Sequence, residues 1–136
     1  MGEYILAHDL GTFGNKATLF STDGVLCKSC TYAYGLYSDN PLWAEQDGEE
    51  WWQAVCNSTK ELLEVCKIKP DEVKAVSFSG QMMGCLPVDR EGKPLRRAII
   101  WADQRAERQA YVLGEKYENI GTWVCMGSVQ RVWHCR

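Results

Sequence analysis

The chain has 136 residues, of which 46% are hydrophobic and 24% charged, a composition typical of one globular domain rather than of a disordered or fibrous protein. Its 15 basic and 18 acidic residues give a formal net charge of −3 without a basic stripe, so nucleic acid is not an expected partner. Because no apolar run reaches the roughly 20 residues of a membrane span and the N-terminus lacks a signal-peptide pattern, we expect a cytoplasmic protein with no membrane partner.

The first part of the chain predicts a three-stranded meander. Residues 3–9 are apolar and rich in strand formers, and they run into the turn-rich stretch 10–15. Residues 16–20 alternate between polar and apolar side chains, residues 22–24 form a turn, and residues 25–34 again carry strand formers. Short turns between such segments favour antiparallel neighbours.

A long helix and a further strand are expected next. Asp47 is a suitable N-cap, with Glu50 three residues later, and apolar side chains then recur on one helical face. This pattern predicts a helix from about 48 to 66. Residues 70–72 are expected to form a helical turn, and residues 73–78 a short strand that stops at a Ser-Gly pair, so a second loop begins where a strand ends.

The last predicted elements are a hairpin and a helix. Strands at 85–88 and 98–101 flank a turn at 89–92, and residues 104–117 have a helical pattern. Strands, helix, strand, hairpin and helix in this order predict an α/β sheet domain.

The bend between the first two strands has the composition of a phosphate-binding loop. Gly11 and Gly14 allow backbone N–H groups to approach phosphate oxygens, the Thr12 hydroxyl adds a donor, and Lys16 supplies a positive charge. Asp9, at the end of the strand, can hold a hydrated magnesium ion. The same residues also fit a tight hairpin with a surface lysine, and the spacing is not a Walker A motif, which leads from a strand into a helix.

Two stretches resemble a known kinase family. The Asp-Leu-Gly-Thr loop resembles the first phosphate motif of the superfamily of sugar kinases, actin and heat-shock ATPases, in which it follows the first strand of a ribonuclease-H-like domain. The run from Pro41 to Asp47 and the pair Trp51-Trp52 are similar to the P-x-W-x-E-Q-D…W-W signature of xylulose kinases in the FGGY family. A structural interpretation of this signature places Trp43 and Trp51 in the core and Asp47 at the helix N-cap.

Two later segments resemble the parts of FGGY kinases that border the sugar pocket. Residues 79–84 resemble the family's G-Q-M-H-G segment, and residues 100–105 its I-L-W-x-D-x-R segment. The resemblance implies that the side chains of Gln81, Met82 and Met83 line the sugar pocket and that Asp103 accepts hydrogen bonds from sugar hydroxyls. The alternative for the two methionines is core filling.

The sequence departs from the family pattern at two of these positions. Phe13 stands where relatives usually carry Ser or Thr, which removes a hydroxyl from the phosphate loop. Met83 replaces the family's histidine, which removes a polar contact to the sugar and leaves its identity open.

The resemblance covers residues 1–120 and implies an incomplete ribonuclease-H-like domain of the actin/hexokinase type, α/β with a mixed sheet. Residues 121–136 contain no acidic residue but two Trp and two Cys, and we interpret them as an atypical tail of a truncated or frameshifted product. Family members continue into a second domain, which supplies the aspartate that acts as base on the sugar hydroxyl and the loops that hold adenosine. An exposed Trp-rich end favours self-association, so a homodimer is a candidate assembly.

The expected function is therefore that of an ATP-dependent carbohydrate kinase of the xylulokinase type, with ATP and Mg²⁺ and a pentulose as substrate. Asp9 positions the metal, and the phosphates are held by five residues of the loop: Gly11, Thr12, Phe13, Gly14 and Lys16. Two alternatives remain: an inactive domain that at most binds phosphate or nucleotide weakly, and a kinase of glycerol or another polyol.

A metal or redox module is a third alternative. The chain has seven cysteines, an odd number, and no secretion signal, so free thiols are expected. Cys27 and Cys30 are the one close pair, and only His134 with Cys135 could complement them in the four-ligand set of a structural zinc site.

Overall fold

The computed structural model describes residues 2–116. The chain divides into two compact units, of which the first comprises Met1–Gly35 and Asp47–Gln81 and the second Leu36–Gln46 and Met82–Arg136. The predicted tail at 121–136, with its cysteines and its histidine, lies outside the described residues. In chain order the elements are β1 (Tyr4–Leu10), β2 (Gly14–Ser21), β3 (Leu26–Ala33), β4 (Glu45–Gln46), α1 (Gly48–Cys66), β5 (Val73–Gly80), β6 (Ala98–Ile99) and α2 (Glu107–Lys116).

The first unit is built on a four-stranded mixed sheet in the order β3-β2-β1-β5. The meander predicted from the sequence is confirmed, because β1 pairs antiparallel with β2, and β2 with β3. Gly24 closes the second turn with a φ of 88°, which an L side chain rarely adopts, and its N–H donates to the Ser21 carbonyl at 2.9 Å. β5 returns after α1 to pair parallel with β1, so β1 becomes an inner strand.

Helix α1 covers one face of the sheet, over β2 and β3. Its predicted bounds and N-cap are confirmed: the Asp47 carboxylate accepts the Glu49 N–H at 2.9 Å, and Lys67 ends the helix in the left-handed conformation. The hydrophobic core lies between helix and sheet and includes Leu19 and Leu62, both fully buried. Burying a leucine side chain stabilises a fold by roughly 2 kcal/mol. No helix among residues 2–116 is long and apolar enough to cross a membrane.

In the second unit β4 pairs antiparallel with β6. The turn predicted at 89–92 is present, with the Gly92 N–H donating to the Asp89 carbonyl at 3.1 Å, but the strand predicted at 85–88 is reduced to isolated bridges at Cys85 and Val88. Helix α2 begins at Glu107 rather than at 104, because the preceding residues are held in another set of hydrogen bonds described below.

Candidate functional site

The loop between β1 and β2 carries the predicted phosphate-binding residues. Asp9 lies directly opposite Lys16 in the antiparallel pair and opposite Ser79 in the parallel pair, so the three side chains share one face of the sheet. All three are exposed. Together with Thr18 and Ser77 they line a groove of about 390 Å³ on the face opposite α1.

Three hydrogen bonds fix the backbone of this loop. The Gly11 N–H donates to the Gly14 carbonyl at 3.0 Å, the Gln81 N–H donates to the Leu10 carbonyl at 2.8 Å, and the Tyr34 hydroxyl donates to the Gly11 carbonyl. Phe13, at the tip, has 75% of its side chain exposed. The loop is therefore held from two neighbouring strands while its tip faces solvent.

The two loop glycines differ in what the fold requires of them. A Cβ added at Gly14 would lie 2.7 Å from the Tyr32 carbonyl oxygen, so β2 and β3 approach too closely there for any side chain. A Cβ at Gly11 would meet only the Gly14 carbonyl, at 3.5 Å, an ordinary contact, and Gly11 has no left-handed φ. Packing of the fold does not require glycine at position 11. A ligand that approaches the backbone closely would require it, because a Cβ would stand in the way.

A buried polar network supports the loop from behind. Asn15 is fully buried, and its Nδ2 lies 3.1 Å from His8 Nδ1 and donates to Ser58 Oγ at 2.9 Å. On the other side of the ring, Thr59 Oγ1 lies 3.4 Å from His8 Nε2. With two hydrogens on Nδ2, Asn15 can serve both acceptors, which assigns the ring proton to Nε2. Residues of β1, β2 and α1 are thus joined directly beneath the loop.

Burial lowers the pKa of His8 below its ordinary value. The ring is 2% exposed and stacks on Phe78 of β5, with centroids 5.0 Å apart. His8 is therefore neutral at neutral pH and structural. Sequence reasoning did not single out this network, although a histidine inside an apolar strand and an asparagine early in the next strand were visible signals.

The residues predicted to face the sugar fall into both units. Gln81 ends the described part of the first unit, and Met82 and Met83 begin the next segment of the second. Met82 is 74% exposed and Met83 37%, so the alternative that they fill a core is wrong. Met83 has a φ of 64°, and such backbone outliers cluster at functional sites.

The carboxylate of Asp103 makes four hydrogen bonds within the second unit. One oxygen accepts the Ala44 N–H at 2.8 Å and Arg105 Nη2 at 2.7 Å, and the other accepts the Arg105 N–H at 3.0 Å and its Nε at 2.8 Å. Burial alone raises the pKa of Asp103, but the Arg105 and backbone donors outweigh it and lower that pKa. These four donors fill the acceptor capacity of a carboxylate. The contact to sugar stays a prediction, and a hydroxyl would have to displace one of them.

Arg105, in the segment 100–105, joins that segment to the signature around Trp43. Arg105 Nη2 donates to the buried Glu45 at 2.6 Å, Arg96 contacts the same carboxylate, and hydrogen bonds from Arg105 lower the pKa of Glu45. The guanidinium carbon of Arg105 lies 4.3 Å from the ring centroid of Trp43. Trp43 is 38% exposed, so its predicted place in the core is wrong: it packs against a cation at the surface.

A cavity of about 420 Å³ lies beside this motif, next to the beginning of α2. It is lined by Trp101, Ala102, Asp103, Gln104, Ala106, Glu107 and Ala110. Four residues of the segment predicted to border the sugar lie along this cavity, and the contact to sugar stays a prediction. Among the described residues no three His, Cys, Asp or Glu side chains converge on a metal site, at Cys27 and Cys30 or elsewhere.

Known proteins match the chain closely. Residues 4–130 match the N-terminal domain of the FGGY family of carbohydrate kinases. A xylulose kinase of Staphylococcus epidermidis is 38% identical over 115 residues, which are 85% of this chain and 23% of that protein. Gluconate kinase from Lactobacillus acidophilus superposes with a TM-score of 0.79 at 26% identity over 85% of this chain and 23% of that one. Plasmodium falciparum glycerol kinase with ADP superposes with a TM-score of 0.74 at 26% identity over 85% and 24%.

The matches agree with the predicted fold, an α/β domain with a mixed sheet that forms part of the actin/hexokinase-type ATPase fold. The chain spans about a quarter of the length of these relatives. The resemblance inferred from the motifs is therefore confirmed: this chain belongs to the FGGY family of carbohydrate kinases and corresponds to part of its N-terminal domain.

Proposed function

We propose that the loop at residues 9–16 binds the phosphates of ATP together with Mg²⁺, and that the complete cytoplasmic protein transfers a phosphoryl group to a hydroxyl of a pentulose. The observation that carries this proposal is Gly11, where the fold leaves room for a Cβ and yet has none. Asp9 and Lys16 beside it offer the charges that a metal-bound phosphate needs. The ADP named with the Plasmodium glycerol kinase supports a nucleotide as ligand.

The loop residues have distinct roles in this proposal. Mg²⁺, when bound, neutralises phosphate charge. Asp9, at the end of β1, orients the hydrated metal. Lys16, opposite it on β2, attracts a phosphate oxygen through its positive charge. The Thr12 N–H is the proposed donor to the phosphate, the open backbone of Gly11 allows the approach, and Gly14 closes the loop by accepting the Gly11 N–H. Phe13 adds no hydroxyl, and at 75% exposure its ring faces solvent at the loop tip.

Four residues are proposed to form the sugar side of the site. Gln81, Met82 and Met83 border the sugar, and Asp103 contributes through the rigid loop that it organises. The xylulose kinase relative, at 38% identity, favours a pentulose. A thioether at position 83 cannot donate a hydrogen bond, so selectivity there depends on shape. The glycerol and gluconate kinase neighbours keep a polyol or a sugar acid as the alternative acceptor.

A second candidate is a nucleotide-binding domain without turnover. It is favoured by the short span, because phosphoryl transfer needs groups held on both sides of the phosphate and the chain covers 23% of its xylulose kinase relative.

We also propose that the kinase domain ends near 120 and that 121–136 is an atypical tail. The coding sequence downstream tests this boundary.

The test compares two exposed lysines of the same meander. Mg·ATP is titrated into the chain and into its Lys16→Ala and Lys28→Ala variants, with binding followed by amide chemical shifts. We expect binding that Lys16→Ala weakens about tenfold and Lys28→Ala leaves within about twofold, since Lys28 lies on β3, away from the loop. Equal effects of the two variants, or no binding, would reject the phosphate site.

A coupled assay with xylulose, ribulose, glycerol and gluconate separates the two candidates. Measurable ATP consumption that depends on one acceptor supports the kinase and identifies its substrate. Binding without turnover supports the second candidate.

A further inference from the structure

One side chain outside the loop forms a hydrogen bond with a loop peptide. Tyr34 follows β3, and its hydroxyl donates to the Gly11 carbonyl oxygen. Its ring is held by Trp51 of α1, with centroids 6.5 Å apart and planes inclined at 62°. Burial, with a smaller effect from the Asp9 charge, raises the pKa of Tyr34 to about 12, so the hydroxyl remains a donor at neutral pH.

The geometry of the peptide bond links the direction of the Gly11 carbonyl to that of the Thr12 N–H. In a trans peptide the C=O of one residue and the N–H of the next point in opposite directions, and the described residues contain no cis peptide bond. Fixing the Gly11 carbonyl towards Tyr34 therefore turns the Thr12 N–H away from Tyr34. The Gly11 N–H is already used in the bond to the Gly14 carbonyl at 3.0 Å.

The constraint matters because Gly11 is a glycine. Without a Cβ its backbone has more than one accessible conformation, and even a Cβ placed there would meet nothing closer than the Gly14 carbonyl oxygen at 3.5 Å. A rotated peptide would present a carbonyl oxygen to the anion in place of an N–H. The freedom that allows close approach of a phosphate therefore needs a separate restraint.

We propose that Tyr34 is a positioning residue that fixes the Gly11–Thr12 peptide so that an N–H, and not a carbonyl, faces the bound phosphate. This inference rests on the proposed function of the loop. Tyr34 does not itself touch the nucleotide. Its hydroxyl preorganises a donor whose orientation would otherwise cost affinity on binding.

The chain offers a matched control two residues earlier. The Tyr32 hydroxyl donates to Glu61 of α1 at 2.7 Å, so Tyr32→Phe removes a comparable bond between β3 and its surroundings without touching the loop. Tyr34→Phe keeps the ring against Trp51 and removes only the hydroxyl. Equal unfolding free energies of the two variants would show that a difference between them in Mg·ATP affinity does not come from global stability.

The experiment has a readout with and without nucleotide. In the unliganded chain, Tyr34→Phe is expected to shift the Gly11 carbonyl carbon and Thr12 amide resonances, and Tyr32→Phe to leave both in place. On titration with Mg·ATP, Tyr34→Phe should bind about tenfold more weakly than wild type and Tyr32→Phe within about twofold.

Two negative results have different meanings. If the wild type binds Mg·ATP and Tyr34→Phe binds as tightly as Tyr32→Phe, the Tyr34 proposal is overturned and the phosphate site stands. If the wild type gives no Mg·ATP-dependent shifts, the proposed function is overturned and the role of Tyr34 towards phosphate is lost with it.

Discussion

Replacing the two loop glycines with alanine should separate a glycine required by the fold from one required by the ligand. At Gly14 the new Cβ would lie 2.7 Å from the Tyr32 carbonyl oxygen and 3.1 Å from Ala33 Cα, both backbone atoms of a paired strand. The two strands would have to separate by about half an ångström, and overpacking of this kind costs about 1–3 kcal/mol. The smaller entropy of the unfolded alanine chain offsets about 0.4–1 kcal/mol. A net loss of about 1–2 kcal/mol is expected.

Gly11→Ala should behave in the opposite way. Its Cβ meets only the Gly14 carbonyl at 3.5 Å, and φ at Gly11 is compatible with alanine, so the unfolding free energy should stay constant or rise by up to about 1 kcal/mol. Affinity for Mg·ATP should nevertheless fall, because the methyl group occupies the approach to the backbone.

Urea unfolding followed by tryptophan fluorescence measures the first effect, and amide shifts on titration with Mg·ATP measure the second. Similar destabilisation by the two alanines would contradict the assignment of Gly14 as the packing glycine. Full Mg·ATP affinity in Gly11→Ala would contradict the argument from the open space at Gly11.

Three further predictions concern the remaining structure. Arg105→Lys keeps the charge but loses the forked donors to Asp103, the bond to Glu45 and the stacking on Trp43, so the unfolding free energy should fall by about 1.5–3 kcal/mol in urea titrations; an unchanged value would show that the cluster is not stabilising. Because the pKa of His8 is lowered in the fold, the unfolded chain takes up the proton at a higher pH than the folded chain does. The unfolding free energy should therefore be constant above about pH 6.5 and decline from there towards pH 5. An unfolding free energy that is unchanged between about pH 6.5 and pH 5 would refute the role of His8. Asp47→Ala removes the N-cap of α1 and should cost about 1 kcal/mol, whereas Asp47→Ser should recover most of it, as thermal unfolding would measure.

Local features of the sequence predicted local structure well. The bounds of α1 follow from Asp47 and from a helical apolar period, and the meander follows from short turns between strand-forming segments. Caps and turns are decided by residues within a few positions of one another, so one segment contains the information. The helix predicted from residue 104 begins later, at Glu107, because Asp103 accepts the Arg105 N–H and so diverts the backbone just before the helix.

Contacts between distant segments were not predictable in the same way. As a large apolar residue, Trp43 is predicted to lie in the core. Arg105, 62 positions later in the chain, instead gives it a partner at the surface. Likewise Asn15 and Ser58 are 43 residues apart and meet only when α1 packs on the sheet. The β1–β2 loop could be proposed as a phosphate site because its residues are consecutive, whereas the contact from Tyr34 depends on how β3 passes the loop.

The position of β1 inside the sheet has a consequence for synthesis of the chain. Its antiparallel partner β2 follows within a few residues, but its parallel partner β5 ends about 70 residues after β1. At about 5 to 20 residues per second, translation leaves that edge of β1 without its native partner for roughly 4 to 14 s. Open strand edges are templates for pairing with other chains. The nascent polypeptide, more than the finished fold, is therefore the stage at which slower translation or a chaperone would most affect the yield of folded domain.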